Sequence, residues 1–65
     1  MSATADIHIT LDLQDAESLA LAQFVKRVTW SAMRECAVDD DECYQLRTAI
    51  DKLRSALAEA GYSPR

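Results

Sequence analysis

The chain has 65 residues, enough for one small domain and too few for a catalytic domain beside a regulatory one. Its 11 acidic residues outnumber its 7 basic residues, so the formal net charge is −4 and direct binding to nucleic acid is disfavoured. One Gly and one Pro argue against disorder, an all-β fold and a glycine-rich phosphate loop. We therefore expect a single domain over residues 1–65, with residues 1–5 as a flexible N-terminus.

Residues 6–13 alternate strictly between apolar and polar side chains. The larger apolar members would share one face: Ile7, Ile9, Leu11 and Leu13. This period of two predicts a half-buried β-strand. No second segment alternates in this way, so the strand would have to pair with the same strand of a second molecule or with a partner's sheet, or leave one edge to water.

From Asp15 the apolar residues take helical spacing. Either Asp12 or Asp15 is the predicted N-cap, and acids in the first turn suit the positive end of the helix dipole. Gln23 and Arg27 are predicted to point away from the core, and the face predicted to enter it consists of Leu21, Phe24, Val25, Val28 and Ala32.

The first helix is predicted to break at Thr29. A straight helix continued further would place the charged Glu35 on its apolar face. Ser31 is the predicted cap of a short second helix over residues 32–37. Trp30, beside the break, is predicted to cover the edge of the core, because a thin core needs the area that a large aromatic side chain buries.

The last helix has the clearest start and end. Asp39 is the predicted N-cap, and Glu42 three residues later completes a capping-box pattern. Gly61 predicts a left-handed C-cap, with Pro64 beyond it. Between these ends, apolar residues are spaced alternately three and four apart: Cys43, Leu46, Ile50, Leu53, Leu57 and Ala60.

A seam of this length is typical of an antiparallel helix hairpin. The predicted fold is therefore α+β. It has one N-terminal strand, two long helices with a short helix between them, and a hairpin core.

No pattern in the chain predicts an enzyme, a metal site or a cofactor. The single histidine, His8, has no nucleophile or second ligand at a suitable spacing. Cys36 and Cys43 are not spaced as zinc ligands and are expected to be free thiols in a reducing cytosol. The absence of a run of about 18 apolar residues and of a signal-peptide pattern predicts a cytoplasmic protein without a membrane span.

The acidic residues gather in an N-terminal block and around the start of the last helix. Helix capping explains why Asp39 and Glu42 are acidic. It does not require the remaining acidic residues in these two regions. The excess favours a partner with a basic surface, such as a protein complex that binds nucleic acid. The predicted partner-binding residues are Asp39, Asp40, Asp41, Glu42, Asp12, Asp15, Glu17, Glu35 and Tyr44.

Three segments carry a resemblance to known proteins: LALAQFVKRV (19–28), CAVDDDECY (36–44) and LAEAGYSPR (57–65). They resemble very small acidic proteins of bacteriophages and mobile elements in Pseudomonas-like bacteria, mostly without assigned function, and the resemblance runs from about residue 7 to the end. The chain is also similar to small anti-CRISPR proteins that inhibit type I-C systems. The resemblance implies an inhibitor that acts in the host bacterial cytosol. By mimicking DNA it would bind a CRISPR effector and block its binding of target DNA.

The alternative is a non-enzymatic structural or interaction module whose acids serve only solubility. Such a module could be a homodimer joined through the predicted strand, or an accessory regulator of another phage or host protein. The chain would be a monomer or a strand-paired dimer, with no nucleic acid and no membrane among its partners.

Overall fold

The computed structural model describes residues 6–62, which contain three helices: α1 Asp15–Arg27, α2 Trp30–Cys36 and α3 Asp40–Glu59. Helices α1 and α2 both pack against α3. Near the end of α1, Arg54 Nη2 donates to the carbonyl oxygen of Val25 at 2.7 Å, and at its start Asp15 accepts a hydrogen bond from Tyr62. α1 therefore runs antiparallel to α3. The predicted flexible residues 1–5 lie outside the described part.

The predicted α+β fold is wrong, because the protein is all-α over residues 6–62 and the predicted strand is not formed. The apolar side chains of residues 6–13 stay exposed, as Ile7 shows with 82% of its surface accessible. A strand is stable only with a hydrogen-bonded neighbour, and no other segment of the described chain supplies one. The strand-paired homodimer loses its basis with the strand.

The N-cap of α1 is Gln14, whereas the sequence favoured Asp12 or Asp15. The backbone N–H of Gln14 donates to Glu17 Oε1 at 2.8 Å, so an acid three residues into the helix stabilises its start. Asp15 and Glu17 lie in the first turn, while Lys26 and Arg27 lie in the last, and both pairs complement the helix dipole.

The predicted break lies where expected, but Thr29 rather than Ser31 caps the second helix. Thr29 Oγ1 accepts a hydrogen bond from the N–H of Ala32 at 3.2 Å. As a result α2 begins at Trp30, two residues before the predicted start, and ends at Cys36. Ser31 lies inside the helix because the earlier hydroxyl of Thr29 already caps the free N–H of Ala32.

The predicted start of α3 is confirmed. Asp39 Oδ1 accepts from the N–H of Glu42 at 2.8 Å, and Glu42 Oε1 in turn accepts from the N–H of Val38 at 3.1 Å. The two side chains thus satisfy backbone donors on both sides of the cap.

The end of α3 is a Schellman motif built on Gly61. This residue has a φ of +98°, which L residues rarely adopt. The N–H of Gly61 donates to the carbonyl oxygen of Ala58 at 3.0 Å, and that of Tyr62 to Leu57 at 2.8 Å. Tyr62 also packs against the core at Leu57, which is the apolar contact that accompanies this motif.

Two small clusters form the core along the seam of α3. Ala22, Val25 and Leu57 join α1 to α3. A second cluster joins α2 to α3: Met33, Ala37 and Cys43. The predicted seam residues are buried or half-buried except Ala60, which lies at the C-cap and is exposed.

The face of α1 that enters the core overlaps the predicted face but is rotated from it: Val25 is buried, and Leu21 and Val28 pack half-buried against the core, as predicted. Ser18, Ala22 and Val25 are buried, whereas Phe24, which the sequence placed in the core, is exposed. The predicted core residue Ala32 is also exposed. α1 carries apolar side chains around most of its circumference, and the face with small residues lets the two helices approach closely.

Candidate protein-binding surface

The two predicted acidic patches lie at opposite ends of α3. Asp40 begins the helix, whereas Asp15 is bonded to Tyr62 just beyond its end. Twenty residues at 1.5 Å each separate the two ends by about 30 Å. The carboxylates therefore do not merge into one continuous anionic face.

At the start of α3, several acids already have partners within the protein. Asp39 and Glu42 bond to backbone N–H groups, and Asp40 Oδ1 lies 2.7 Å from Arg34 Nε. Within the described chain, Asp41 and Glu35 make no side-chain hydrogen bond or ion pair, and both are exposed. These two carboxylates are the ones available to a partner at this end.

Asp15 and Glu17, the α1 members of the N-terminal block, also have structural roles. Asp15 accepts a hydrogen bond from the hydroxyl of Tyr62, which raises the pKa of Tyr62 because the bond stabilises the neutral phenol. Glu17 bonds to the backbone of Gln14, as described above. Asp12 is exposed in the segment without regular structure before α1.

The ring of Tyr44 packs against that of Trp30, with centroids 4.9 Å apart and planes inclined by 55°. A tilted pair at this distance is a favourable aromatic contact. It links the start of α2 to the first turns of α3, and both rings keep part of their surface exposed. The predicted partner-binding residue Tyr44 thus has a packing role as well as an exposed edge.

The described residues contain no group of three or more His, Cys, Asp or Glu side chains arranged to hold a metal ion. Cys36 is exposed and Cys43 is buried, and neither forms a disulfide. Over residues 6–62 no helix combines the length and apolar character needed to cross a bilayer.

An apolar surface that the sequence did not predict lies on the side of α1 that points away from α3. Two large side chains dominate it, Leu19 with 52% and Phe24 with 56% of their surface exposed. They flank a shallow groove that continues to Val28 and Ala32 and encloses about 670 Å³. We call the α1 part of this surface the outer face, formed by Ala16, Leu19, Ala20, Gln23, Phe24 and Arg27.

The outer face is continuous because of the helical repeat. At about 100° per residue, Leu19 and Phe24 stand about 140° apart on either side of a strip that runs from Ala16 to Arg27. The buried residues of α1 lie on the opposite side of the helix. Leu19 was the available signal, because it lies outside the predicted apolar stripe, where an amphipathic helix with a single buried side would carry polar residues.

Comparison with known proteins gives a family but no activity. No curated protein and no solved structure matches the chain. A family of unknown function, DUF7706, matches it over residues 1–65. The chain therefore belongs to the DUF7706 family.

Proposed function

We propose that the protein is a non-enzymatic binding module that holds an amphipathic helix of a partner protein along the outer face of α1. The observation that carries this proposal is the exposure of Leu19 and Phe24 on one face of a well-formed helix. Single exposed apolar residues are common on protein surfaces, but two large ones on a continuous apolar surface are typical of an interaction site.

The shape of the outer face favours a helix over a small molecule. Small-molecule sites are concave and enclose most of the ligand, whereas this groove is shallow and open along its length. The 13 residues of α1 extend over about 20 Å, which matches about four turns of a partner helix. Ala16 and Ala20 leave room for the backbone of that helix between Leu19 and Phe24.

The proposal is tested by co-purification from cells that express the chain naturally. A tagged wild-type chain is compared with a Leu19→Asp/Phe24→Asp variant and with Val38→Asp. Val38 is a matched control, because it is 80% exposed and lies outside the outer face. Circular dichroism checks that all three chains are equally helical.

The cells also express a copy of the chain with a different tag, so that binding of the chain to itself is detected. We expect the wild type and Val38→Asp to retain the same set of proteins, which includes this second copy if the chain binds itself. The outer-face variant should lose at least one of them. An identical set of proteins with all three chains would overturn the proposal, as would a wild type that retains nothing above a mock purification.

Inhibition of a nucleic-acid-binding complex by DNA mimicry is a second candidate. The observation that favours it is the local charge at the start of α3, where five acids and Arg34 leave a net charge of −4. The separation of the two acidic patches limits the mimic to one patch, because carboxylates about 30 Å apart cannot act as one continuous field.

Asp41 and Glu35 are the best sites for testing the second candidate, since changing Asp40 would also break its ion pair with Arg34. We expect Glu35→Lys/Asp41→Lys to abolish inhibition of target-DNA binding by a type I-C effector. Glu59→Lys provides a charge-reversal control on an exposed residue at the other end of α3. A wild-type chain that does not inhibit the effector, or equal inhibition by wild type and double variant, would contradict this candidate.

A further inference from the structure

The outer face of α1 is complementary to itself, and we infer that its partner helix is α1 of a second copy of the chain, arranged antiparallel about a two-fold axis. This inference rests on the proposed function of the outer face and names its occupant. In this dimer the two copies would meet through α1 and not through the strand predicted for residues 6–13.

The register follows from the spacing of the outer-face residues. In an antiparallel two-fold pair, each residue lies opposite the residue equally far from the centre in the other copy. A centre between Leu21 and Ala22 places Leu19 at the same level along the helix axis as Phe24 of the second copy, and Ala20 directly opposite its Gln23. Ala16 then lies opposite Arg27. All six members of the outer face are matched in this one register.

The side chains in this register fit a close contact between helices. Ala20 lies near the centre of the pair, where a small side chain allows the backbones to approach. The two-fold axis keeps each side of the strip on its own side, so the two Leu19 side chains flank one edge of the contact and the two Phe24 side chains flank the other. Both large exposed side chains of α1 would thereby be covered.

The charges of α1 determine the direction of the pair. The acids Asp15 and Glu17 lie in its first turn, and Lys26 and Arg27 lie in its last. An antiparallel arrangement brings the acidic turn of each copy beside the basic turn of the other. Asp15 and Lys26 also lie about 20° apart around the helix, so they flank the same side of the contact. A parallel pair would place like charges together.

The size of the contact indicates a weak and reversible dimer. Stable complexes bury about 1,200–2,000 Å² in total, and one pair of 13-residue helices lies at or below the low end of that range. We therefore expect dissociation constants in about the micromolar range, at which both monomer and dimer are populated in ordinary solution experiments.

Sedimentation of the purified full chain over a wide range of concentrations tests the inference. The wild type should shift from 7.2 kDa to twice that mass as its concentration rises. Phe24→Asp should remain a monomer at every concentration, while the exposed control Val38→Asp should dimerise like the wild type. Lys26→Glu should weaken the dimer about tenfold, because it replaces attraction to Asp15 by repulsion.

A second measurement tests the register without disturbing the apolar residues. In a Cys36→Ser background, Ala20→Cys and Gln23→Cys chains are mixed and oxidised, and we expect a disulfide between the two kinds of chain. Arg47→Cys on α3 is the control and should not form a disulfide with either chain.

A wild type that stays monomeric overturns the inference, as does a dimer that Phe24→Asp leaves intact. Unchanged affinity in Lys26→Glu, or no Ala20→Cys to Gln23→Cys disulfide, would overturn the antiparallel register. None of these results would by itself contradict the proposed function. That function fails only if no protein of any kind depends on the outer face in the co-purification.

Discussion

Replacing Leu57 by Ala should remove much of the stability of the protein. Leu57 is 6% exposed and packs against Ala22 and Val25 where α1 meets α3. A buried Leu→Ala change costs about 2–5 kcal/mol, because it loses burial and leaves a cavity. A 65-residue domain has a total stability of roughly 3–10 kcal/mol at the usual stability per residue. We therefore expect the variant to be largely unfolded or to unfold at much lower urea concentration.

Leu19→Ala is the matched control, since it removes the same atoms from a side chain that is already 52% exposed. Complete burial of a Leu side chain stabilises by about 1.5–3 kcal/mol, so this variant should lose at most about 1 kcal/mol. Urea unfolding followed by circular dichroism measures both changes, at a chain concentration low enough for the monomer to dominate. Equal losses in the two variants would refute the burial pattern described for α1.

Three further predictions concern the helix ends and the polar contacts of α3. Gly61→Ala should lower the free energy of unfolding by about 1–2 kcal/mol. The cause would be backbone strain alone, because φ is +98° and no atom lies within 4 Å of the added Cβ. An unchanged free energy of unfolding in urea would contradict the left-handed turn at Gly61. Arg54→Ala should lower the free energy of unfolding by about 1–3 kcal/mol, because it removes the hydrogen bond to the carbonyl of Val25 near the end of α1. Asp51→Ala should lower it by under about 0.5 kcal/mol, since the ion pair of Asp51 with Arg54 is exposed. If urea unfolding showed Asp51→Ala to be the more damaging change, the bond to Val25 would not be the important contact of Arg54. The hydrogen bond to Asp15 raises the pKa of Tyr62 above its ordinary value of 10.0. The bond therefore stabilises the folded protein below about pH 10, and this stabilisation is lost as the pH rises through the higher pKa of the folded state. Asp15→Asn should lower the pH at which the absorbance of the Tyr62 phenolate appears, and an unchanged titration would exclude the bond.

The helices could be predicted from the sequence because their signals are local. Asp39 and Glu42 satisfy backbone donors three or four residues away, and Gly61 supplies a conformation that few other residues tolerate. Such signals depend little on the rest of the fold. Where two capping residues competed, as at Thr29 and Ser31, the sequence predicted a break correctly but selected the wrong cap.

The N-terminal segment could not be predicted in the same way, because a strand depends on a partner. Alternation of Ile7, Ile9 and their neighbours describes which side chains would share a face if a sheet existed. It does not supply the neighbouring strand whose N–H and C=O groups must pair with it. Within residues 6–62 all regular structure is helical, so the segment has no strand to pair with and forms no regular secondary structure.

The outer face was missed because periodicity alone does not fix how a helix is rotated. Two sides of α1 could pack against α3. One carries Leu21 and Phe24, and the other carries Ser18 and Ala22. The structure buries Ser18 and Ala22, whose small side chains permit a close approach to α3, and this leaves Phe24 outside. The acidic residues were easy to find by composition, but several of them act as caps and ion pairs within the protein.

The exposed apolar residues and the thin core have a common physical origin in the size of the chain. Over residues 6–62, nine large apolar or aromatic side chains are exposed while six apolar residues are buried, two of them only Ala. A single long helix offers one seam, and α1 and α2 already occupy it along most of its length. Apolar side chains on the far side of α1 have no further layer of this chain to pack against. A second protein surface is the means by which Leu19 and Phe24 can be removed from water, so binding through the outer face would also stabilise a fold that has little stability to spare.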